Sequence, residues 1–168
     1  MNCLLLWLWL KKNAFSGCTS LKQISIPSSV TCIYCSAFAR CTSLIDVSIP
    51  NSVTDISCHV FRGCTSLTEI TIPCTEIKKE CFQDCSSLTK VILPSSVTDI
   101  SYNAFERCKS LSEISIPSSV LTISDGAFNG CSSMKKVLIP SSVTYIGYNA
   151  FYGCSSLSEL TILSSSVS

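Results

Sequence analysis

The sequence predicts a repeat solenoid, rich in β-strand, with about seven repeats of 23 residues. Three residue types carry this prediction because each recurs in register along the 168 residues. All seven phenylalanines keep a spacing of 23 except for one step of 21: Phe15, Phe38, Phe61, Phe82, Phe105, Phe128 and Phe151. All six prolines and seven of the thirteen cysteines keep the same step: Pro27, Pro50, Pro73, Pro94, Pro117, Pro140, Cys18, Cys41, Cys64, Cys85, Cys108, Cys131 and Cys154. Stacked repeats require such columns of identical residues.

The consensus repeat A-F-x-x-C-x-S-L-x-x-I-x-I-P-x-S-V-x-x-I predicts two short strands and a turn. Ile114 and Ile116 alternate with polar residues, so both side chains face one side of a strand. Pro117 ends this strand because proline cannot donate to a ladder. The S-V-x-x-I segment is predicted as a second extended piece. The A-F-x-x-C segment is predicted as a single helical or 3₁₀ turn, and the phenylalanines as a stacked column inside the solenoid.

The chain is predicted as a single solenoid domain over 1–168, with regular repeats over 15–163 and a frayed end over 164–168. Residues 1–14 are interpreted as a degenerate apolar first repeat, with Leu10 in the isoleucine column and Trp7 in the valine column. A signal or anchor remnant is the alternative, but the apolar run is too short to span a membrane. Lys11 and Lys12 follow this run instead of preceding it. Apolar, uncapped ends predict a fragment of a longer array or end-to-end self-association.

Composition excludes several function classes. The 46% hydrophobic content argues against disorder, and a net charge of +1 argues against a nucleic-acid binder steered by a basic surface. The single histidine, His59, has no acid held beside it by any motif. We therefore predict no enzyme activity, no catalytic residue and no cofactor.

The cysteines are predicted mainly as buried, unpaired thiols, because free cysteine is small and apolar. Cys35 and Cys58 occupy equivalent positions in adjacent repeats and form the candidate disulfide. Cys32, Cys35, Cys58 and His59 have ligand types suited to zinc. Cys58 and His59 are adjacent, however, and point to opposite faces if extended, so no metal site is predicted.

A partner-binding face is predicted on the outward positions of the first strand. One outward column is rich in hydroxyls: Ser25, Ser48, Thr71, Ile92, Ser115, Leu138 and Thr161. The next column carries mixed charge: Gln23, Asp46, Glu69, Lys90, Glu113, Lys136 and Glu159. These columns suit a polar protein or glycan surface, with Ile92 and Leu138 as apolar anchors. Alternatively, the hydroxyl ladder only stabilises the sheet, and the alternating charges only relieve like-charge stacking.

The repeat pattern over Leu10–Val167 resembles the BspA-type leucine-rich repeats of bacterial and protist surface proteins. The resemblance implies a right-handed curved solenoid with a parallel sheet on one side. It also implies adhesion or protein binding at a cell surface, without catalytic residues. An intracellular structural or scaffold role in the cytoplasm is the alternative, favoured by the unpaired thiols and by the lack of a convincing signal peptide.

Overall fold

The computed structural model describes residues 9–164, which form a β-solenoid of seven coils without any helix. Each coil is numbered here by its phenylalanine, from coil 1 with Phe15 to coil 7 with Phe151. Within residues 9–164, no helix is long and apolar enough to cross a membrane. Every strand pairing in this part of the chain is parallel.

Two stacks of short strands run along the solenoid. The first stack contains β2 (Gln23–Ser25), β4 (Asp46–Ser48), β6 (Glu69–Thr71), β8 (Lys90–Ile92), β11 (Lys136–Ile139) and β13 (Glu159–Ile162). The second stack contains β1 (Trp9–Leu10), β3 (Cys32–Ile33), β5 (Asp55–Ile56), β7 (Glu76–Ile77), β9 (Asp99–Ile100), β10 (Thr122–Ile123) and β12 (Tyr145–Ile146). The predicted pair of extended pieces per repeat is therefore present in most coils. Among coils 1 to 6, coil 5 is the exception, since its first strand is reduced to a bridge between Glu113 and Lys136.

The phenylalanine column forms the centre of the core, as the repeat predicts. Successive rings lie 5.2–5.6 Å apart between centroids, with interplanar angles of 2–11°. The five inner rings, from Phe38 to Phe128, are completely buried. Valine, isoleucine and leucine columns surround them, so each coil covers the apolar face of its neighbours.

The A-F-x-x-C segments are turns, which corrects the predicted helical or 3₁₀ conformation. In coil 1, Ser16 N–H bonds Asn13 C=O within the turn at 3.1 Å, whereas Phe15 N–H bonds Ala37 C=O of the next coil at 2.8 Å. Alternate N–H groups thus bond the next coil instead of a carbonyl of their own turn, so the turn cannot continue into a helix. Two residues per turn also adopt positive φ: Asn13 and Gly17, Ser36 and Arg40, His59 and Gly63, Glu80 and Asp84, Asn103 and Arg107, Gly126 and Gly130, and Asn149 and Gly153.

The segment from Pro73 to Ile77 is two residues shorter than its equivalents and interrupts the second stack. Strands β1, β3 and β5 form one sheet, and β7, β9, β10 and β12 form another. The register resumes after the break, because Ile77 pairs with Ile100. At the other end, Leu10 pairs with Ile33 and so occupies the isoleucine column. Trp7 and most of the frayed C-terminal segment lie outside the described residues.

Candidate interaction surface

The first strand stack exposes the face on which sequence analysis places a partner. The two outward columns named above contain fourteen residues, and all of them are exposed. The intervening positions point inward, as Val47 and Ile70 illustrate with 6% and 3% exposure. The strand alternation therefore separates an apolar core from an accessible strip along the solenoid, hereafter the strand face.

Ion pairs between neighbouring coils occupy part of the strand face. Lys90 Nζ lies 3.7 Å from Glu69 Oε2, and Lys136 Nζ lies 2.9 Å from Glu159 Oε2. Glu113 lies between these two lysines in the column and forms no ion pair within residues 9–164. Charge alternation thus relieves repulsion from Glu69 to Glu159, while Asp46 and Glu113 form no ion pair in the described part of the chain.

Two adjoining grooves lie on the strand face. The first has a volume of about 420 Å³ and extends over coils 2 to 4, from Asp46 to Ile92. The second has a volume of about 690 Å³ and is lined by Glu69, Thr89, Lys90, Val91, Ile92, Leu93, Glu113, Ile114, Ser115, Ile116, Lys136 and Leu138. Glu69, Lys90 and Ile92 line both grooves, so the depressions form one continuous surface.

The grooves coincide with openings in the hydrogen-bond ladder of the first stack. The N–H of Ile26 donates to Ser48 C=O at 3.1 Å, and the N–H of Ile72 donates to Ile92 C=O at 3.0 Å. The equivalent N–H groups of three residues have no such partner among residues 9–164: Ile49, Leu93 and Ile116. Ile49 lines the smaller groove, and the other two line the larger one. The ladder between neighbouring coils is therefore incomplete at these points in the described part of the chain.

The in-register cysteines from coil 2 to coil 7 form a second ordered feature, which is buried. Each thiol from coil 2 to coil 7 donates a hydrogen bond to the phenylalanine carbonyl of the preceding coil, over 3.1–3.2 Å. Phe38 C=O, for example, accepts from Cys64 Sγ and from Cys41 N–H. Burial raises the pKa of Cys64 to about 12, and it holds the pKa of Cys108 well above its ordinary value. The thiols therefore stay protonated donors and have little nucleophilic character.

The repeat pattern, the two strand stacks and the thiol column all recur with one period. The family model for the BspA-type leucine-rich repeat region matches six copies over residues 9–75 and 73–168. The chain belongs to the BspA-type leucine-rich repeat family. No curated protein sequence matches this chain.

Solved structures of leucine-rich repeat proteins share this fold. A leucine-rich repeat protein from Bacteroides ovatus is 37% identical with a TM-score of 0.77, covering 83% of this chain and 37% of its own. A leucine-rich repeat protein from Eubacterium ventriosum is 22% identical with a TM-score of 0.71; the match covers 95% of this chain and 48% of that protein. A leucine-rich cell surface protein from Faecalibacterium prausnitzii is 23% identical with a TM-score of 0.53; the match covers 92% of this chain and 63% of that protein. This chain thus spans less than two thirds of each.

The BspA-type coils do not bring the considered metal-ligand set together. Residues 9–164 contain no group of three or more histidine, cysteine, aspartate or glutamate residues suited to a metal ion. His59 Nε2 instead lies 3.2 Å from Glu80 Oε2 on the turn side of the solenoid. Cys35 and Cys58 each carry a free, half-buried thiol in the structure, and their oxidative pairing stays a prediction.

Sequence analysis missed an ion-pair network on the turns of coils 3 to 5. Glu80, whose side chain is 12% exposed, also contacts Arg62 Nη1 at 3.1 Å. Arg107 makes two hydrogen bonds to the Asp84 carboxylate, at 2.6 and 3.0 Å. The two partners of this pair are separated by 23 residues. Opposite charges 23 residues apart on the turns, Asp84 and Arg107, are the sequence signal for this pair.

Proposed function

We propose that this chain is a non-catalytic protein-binding module that contacts its partner through the strand face. The observation that carries this proposal is the uninterrupted exposure of all fourteen strand-face residues beside two grooves. Repeat proteins present such extended surfaces because each coil adds a strip to the same side. Exposed apolar side chains within a polar strip suit a protein interface, and Ile92 and Leu138 are each 47% exposed.

We place the module at a cell surface, where it serves adhesion or recognition. Membership of the BspA-type family supports this location, as does the fold shared with a Faecalibacterium prausnitzii protein described as a cell surface protein. An intracellular scaffold of the same fold is the second candidate, and the buried, reduced thiol column favours it. Protease treatment of intact cells distinguishes the two, because only a surface-exposed chain is cleaved without lysis.

Binding of the purified chain to a panel of host-surface proteins and to a glycan array tests the module directly. The variant Ile92→Asp/Leu138→Asp should lose binding, since both new carboxylates lie on the strand face. Tyr148→Asp is the matched control, because Tyr148 is 82% exposed and lies outside the strand face. Retained binding by the double variant, with circular dichroism like that of the parent chain, would refute the strand-face assignment. Binding to glycans alone would replace the protein partner with a carbohydrate.

We also propose that the two ends of this chain associate. Asn149, Phe151 and Gly153 donate no hydrogen bond within residues 9–164, although their equivalents in earlier coils donate to the next coil. The carbonyls of the corresponding acceptor positions in coil 1 accept none within the same range: Lys12, Ala14 and Ser16. The open groups of the last described coil therefore complement those of the first, so either a further coil or a second copy of this chain can pair with them, and head-to-tail contact between copies leads to open chains. Sedimentation velocity should show concentration-dependent oligomers, and a monomer at all concentrations would contradict this association.

A further inference from the structure

We propose that a polar groove on the turn side of coils 1 to 3 binds an acidic peptide segment, whose carboxylate pairs with Arg40. This groove, hereafter the turn groove, has a volume of about 270 Å³ and is lined by Asn13, Ser16, Ser36, Ala39, Arg40, His59 and Arg62. No strand-face residue lines it, so the inference goes beyond the proposed function. Its supports are an arginine without a partner, an excess of basic side chains, and a completed arginine–carboxylate pair at the equivalent place in a later coil.

Arg40 lacks the carboxylate that its counterpart Arg107 has. The two arginines occupy the same position of the repeat, two residues after a phenylalanine, and both are exposed. One coil before Arg107 stands Asp84, whose carboxylate accepts two hydrogen bonds from the guanidinium at 2.6 and 3.0 Å. One coil before Arg40 stands Gly17, which has no side chain to offer. A carboxylate from a ligand can therefore complete at Arg40 the pair that the chain itself completes at Arg107.

The backbone and the stem of Arg40 have the same arrangement as those of Arg107. The φ angles of the two residues are 59° and 58°. Arg40 Cγ lies 3.5 Å from the position of a Cβ built on Gly63, and Arg107 Cγ lies 3.3 Å from the same position on Gly130. Both stems thus rest on a glycine of the following coil. Arg40 is held in an arrangement that already binds a carboxylate elsewhere in the molecule, which lowers the cost of ordering it for a ligand.

The charges around the turn groove favour an anion. No acidic residue of the described chain lines the groove, whereas Arg40, His59 and Arg62 do. The Oε2 atom of nearby Glu80 lies 3.2 Å from His59 Nε2 and 3.1 Å from Arg62 Nη1. The Oε1 atom of the same residue lies 3.6 Å from Lys79 Nζ. One carboxylate thus serves three basic side chains, and positive charge is left in excess beside Arg40.

A peptide carboxylate fits these observations better than a tetrahedral anion. The planar guanidinium fork binds a carboxylate through two parallel N–H···O bonds, and Asp84 already shows this geometry on Arg107. The lining of the groove comes from the turns of three successive coils, so an extended peptide along the solenoid meets them in order. Alternate side chains of such a peptide are about 7 Å apart. The long side chains of Arg40 and Arg62, on coils whose rings are 5.6 Å apart, can span this distance.

Fluorescence anisotropy at low ionic strength, with three labelled probes, tests the ligand class. The probes are a nonapeptide of alternating glutamate and serine, the same peptide with glutamine in place of glutamate, and a sulfated oligosaccharide. The glutamate peptide should bind the chain, and the glutamine peptide should not, because only the former has carboxylates for Arg40. Added salt should weaken this binding. Absence of glutamate-peptide binding, equal binding of the two peptides, or binding of the oligosaccharide alone would overturn the ligand class.

Variants of the chain test the site. Arg40→Gln should weaken binding of the glutamate peptide about tenfold, because it removes a bidentate pair. Arg107→Gln is the matched control, since it removes the same charge at the same repeat position from a guanidinium that is already paired; it should leave binding unchanged. Gly17→Asp should also weaken binding about tenfold, because it gives Arg40 the carboxylate that Asp84 gives Arg107. Asp84 has a φ of 64°, so the position accepts aspartate. Gly17→Asn is the uncharged control and should leave binding unchanged.

The outcomes separate this inference from the proposed function, because the two concern different surfaces. Retained peptide binding by Arg40→Gln, or an equal loss in Arg40→Gln and Arg107→Gln, would overturn the turn groove as the site. The strand face would still stand as the interface if Ile92→Asp/Leu138→Asp abolished binding of a whole partner protein. Retention of partner binding by that double variant would refute the proposed function and leave the turn groove unaffected.

Discussion

Alkaline pH should destabilise the chain through its buried thiol column. Five buried thiols carry the effect, because burial holds each pKa well above the ordinary value of 9.0. Four belong to the column, Cys64, Cys85, Cys108 and Cys131, and the fifth is Cys81, which lies outside it. In the unfolded chain these thiols lose their protons above pH 9, whereas the folded chain keeps them. The unfolded state then binds fewer protons, so the free energy of unfolding falls as pH rises. The thiol contribution is fully present below pH 9.

The size of the stability loss follows from how far the pH lies above the thiol pKa of the unfolded chain. One pH unit above the ordinary pKa, each protected thiol costs about 1–1.5 kcal/mol of stability. Five thiols together lower the free energy of unfolding by about 5–7 kcal/mol at pH 10. A domain of ordinary stability has only about 5–15 kcal/mol in total. The solenoid should therefore be close to unfolding at pH 10 although it is stable at pH 8.

Urea unfolding followed by circular dichroism, in reductant at pH 8 and pH 10, measures this loss. Lysine and tyrosine also titrate in this range, so the comparison between cysteine variants isolates the thiols. Cys108→Ala should reduce the loss between the two pH values by about 1 kcal/mol. Cys18→Ala is the control, because this member of the column is exposed, and it should leave the loss unchanged. A loss below about 2 kcal/mol in the parent chain would refute the reasoning.

Three further predictions concern the core, the turns and the cysteines. Phe105→Ala should lower the free energy of unfolding by about 3–5 kcal/mol, because stacked rings on both sides cannot close the gap; an unchanged melting temperature would contradict the stacked core. Arg40→Gly should raise the melting temperature by a few degrees, since Arg40 has a φ of 59° and no ion pair in the described chain, and a lowered temperature would show that its side chain stabilises the turn. Intact mass after alkylation of unfolded, unreduced protein from its own cells should show eleven additions if Cys35 and Cys58 pair, whereas thirteen, the full cysteine count, would exclude any disulfide.

The columns of the repeat could be predicted because a single period controls burial, strand alternation and stacking. Phe105 must be buried wherever the coils stack, since every coil presents the same residue to its neighbours. Ile114 and Ile116 likewise identify the strand and therefore the outward positions beside them. This local alternation is enough to predict which residues form the strand face, and these residues are exposed in the structure.

The turns and the ladder openings could not be predicted in the same way. Positive φ is a glycine signal, but nine of the turn positions with positive φ hold other residues, including Arg40 and Glu80. Inter-coil hydrogen bonds hold these residues in that conformation, and a local pattern does not contain those bonds. Ile72 and Ile116 are the same residue at the same position of the repeat, but only the N–H of Ile72 bonds the following coil in the described chain. Whether the ladder closes depends on how neighbouring coils sit against each other, which the repeat pattern does not describe.

Amide hydrogen exchange resolved by NMR tests the central claim most directly, because it reports the strand-face ladder residue by residue. In the free chain, the amides of Leu93 and Ile116 should exchange rapidly, whereas those of Ile26 and Ile72 should be protected by their inter-coil bonds. A bound partner should slow exchange at Leu93 and Ile116. Protection of all four amides in the free chain, or a partner that slows only turn-side amides, would contradict the account.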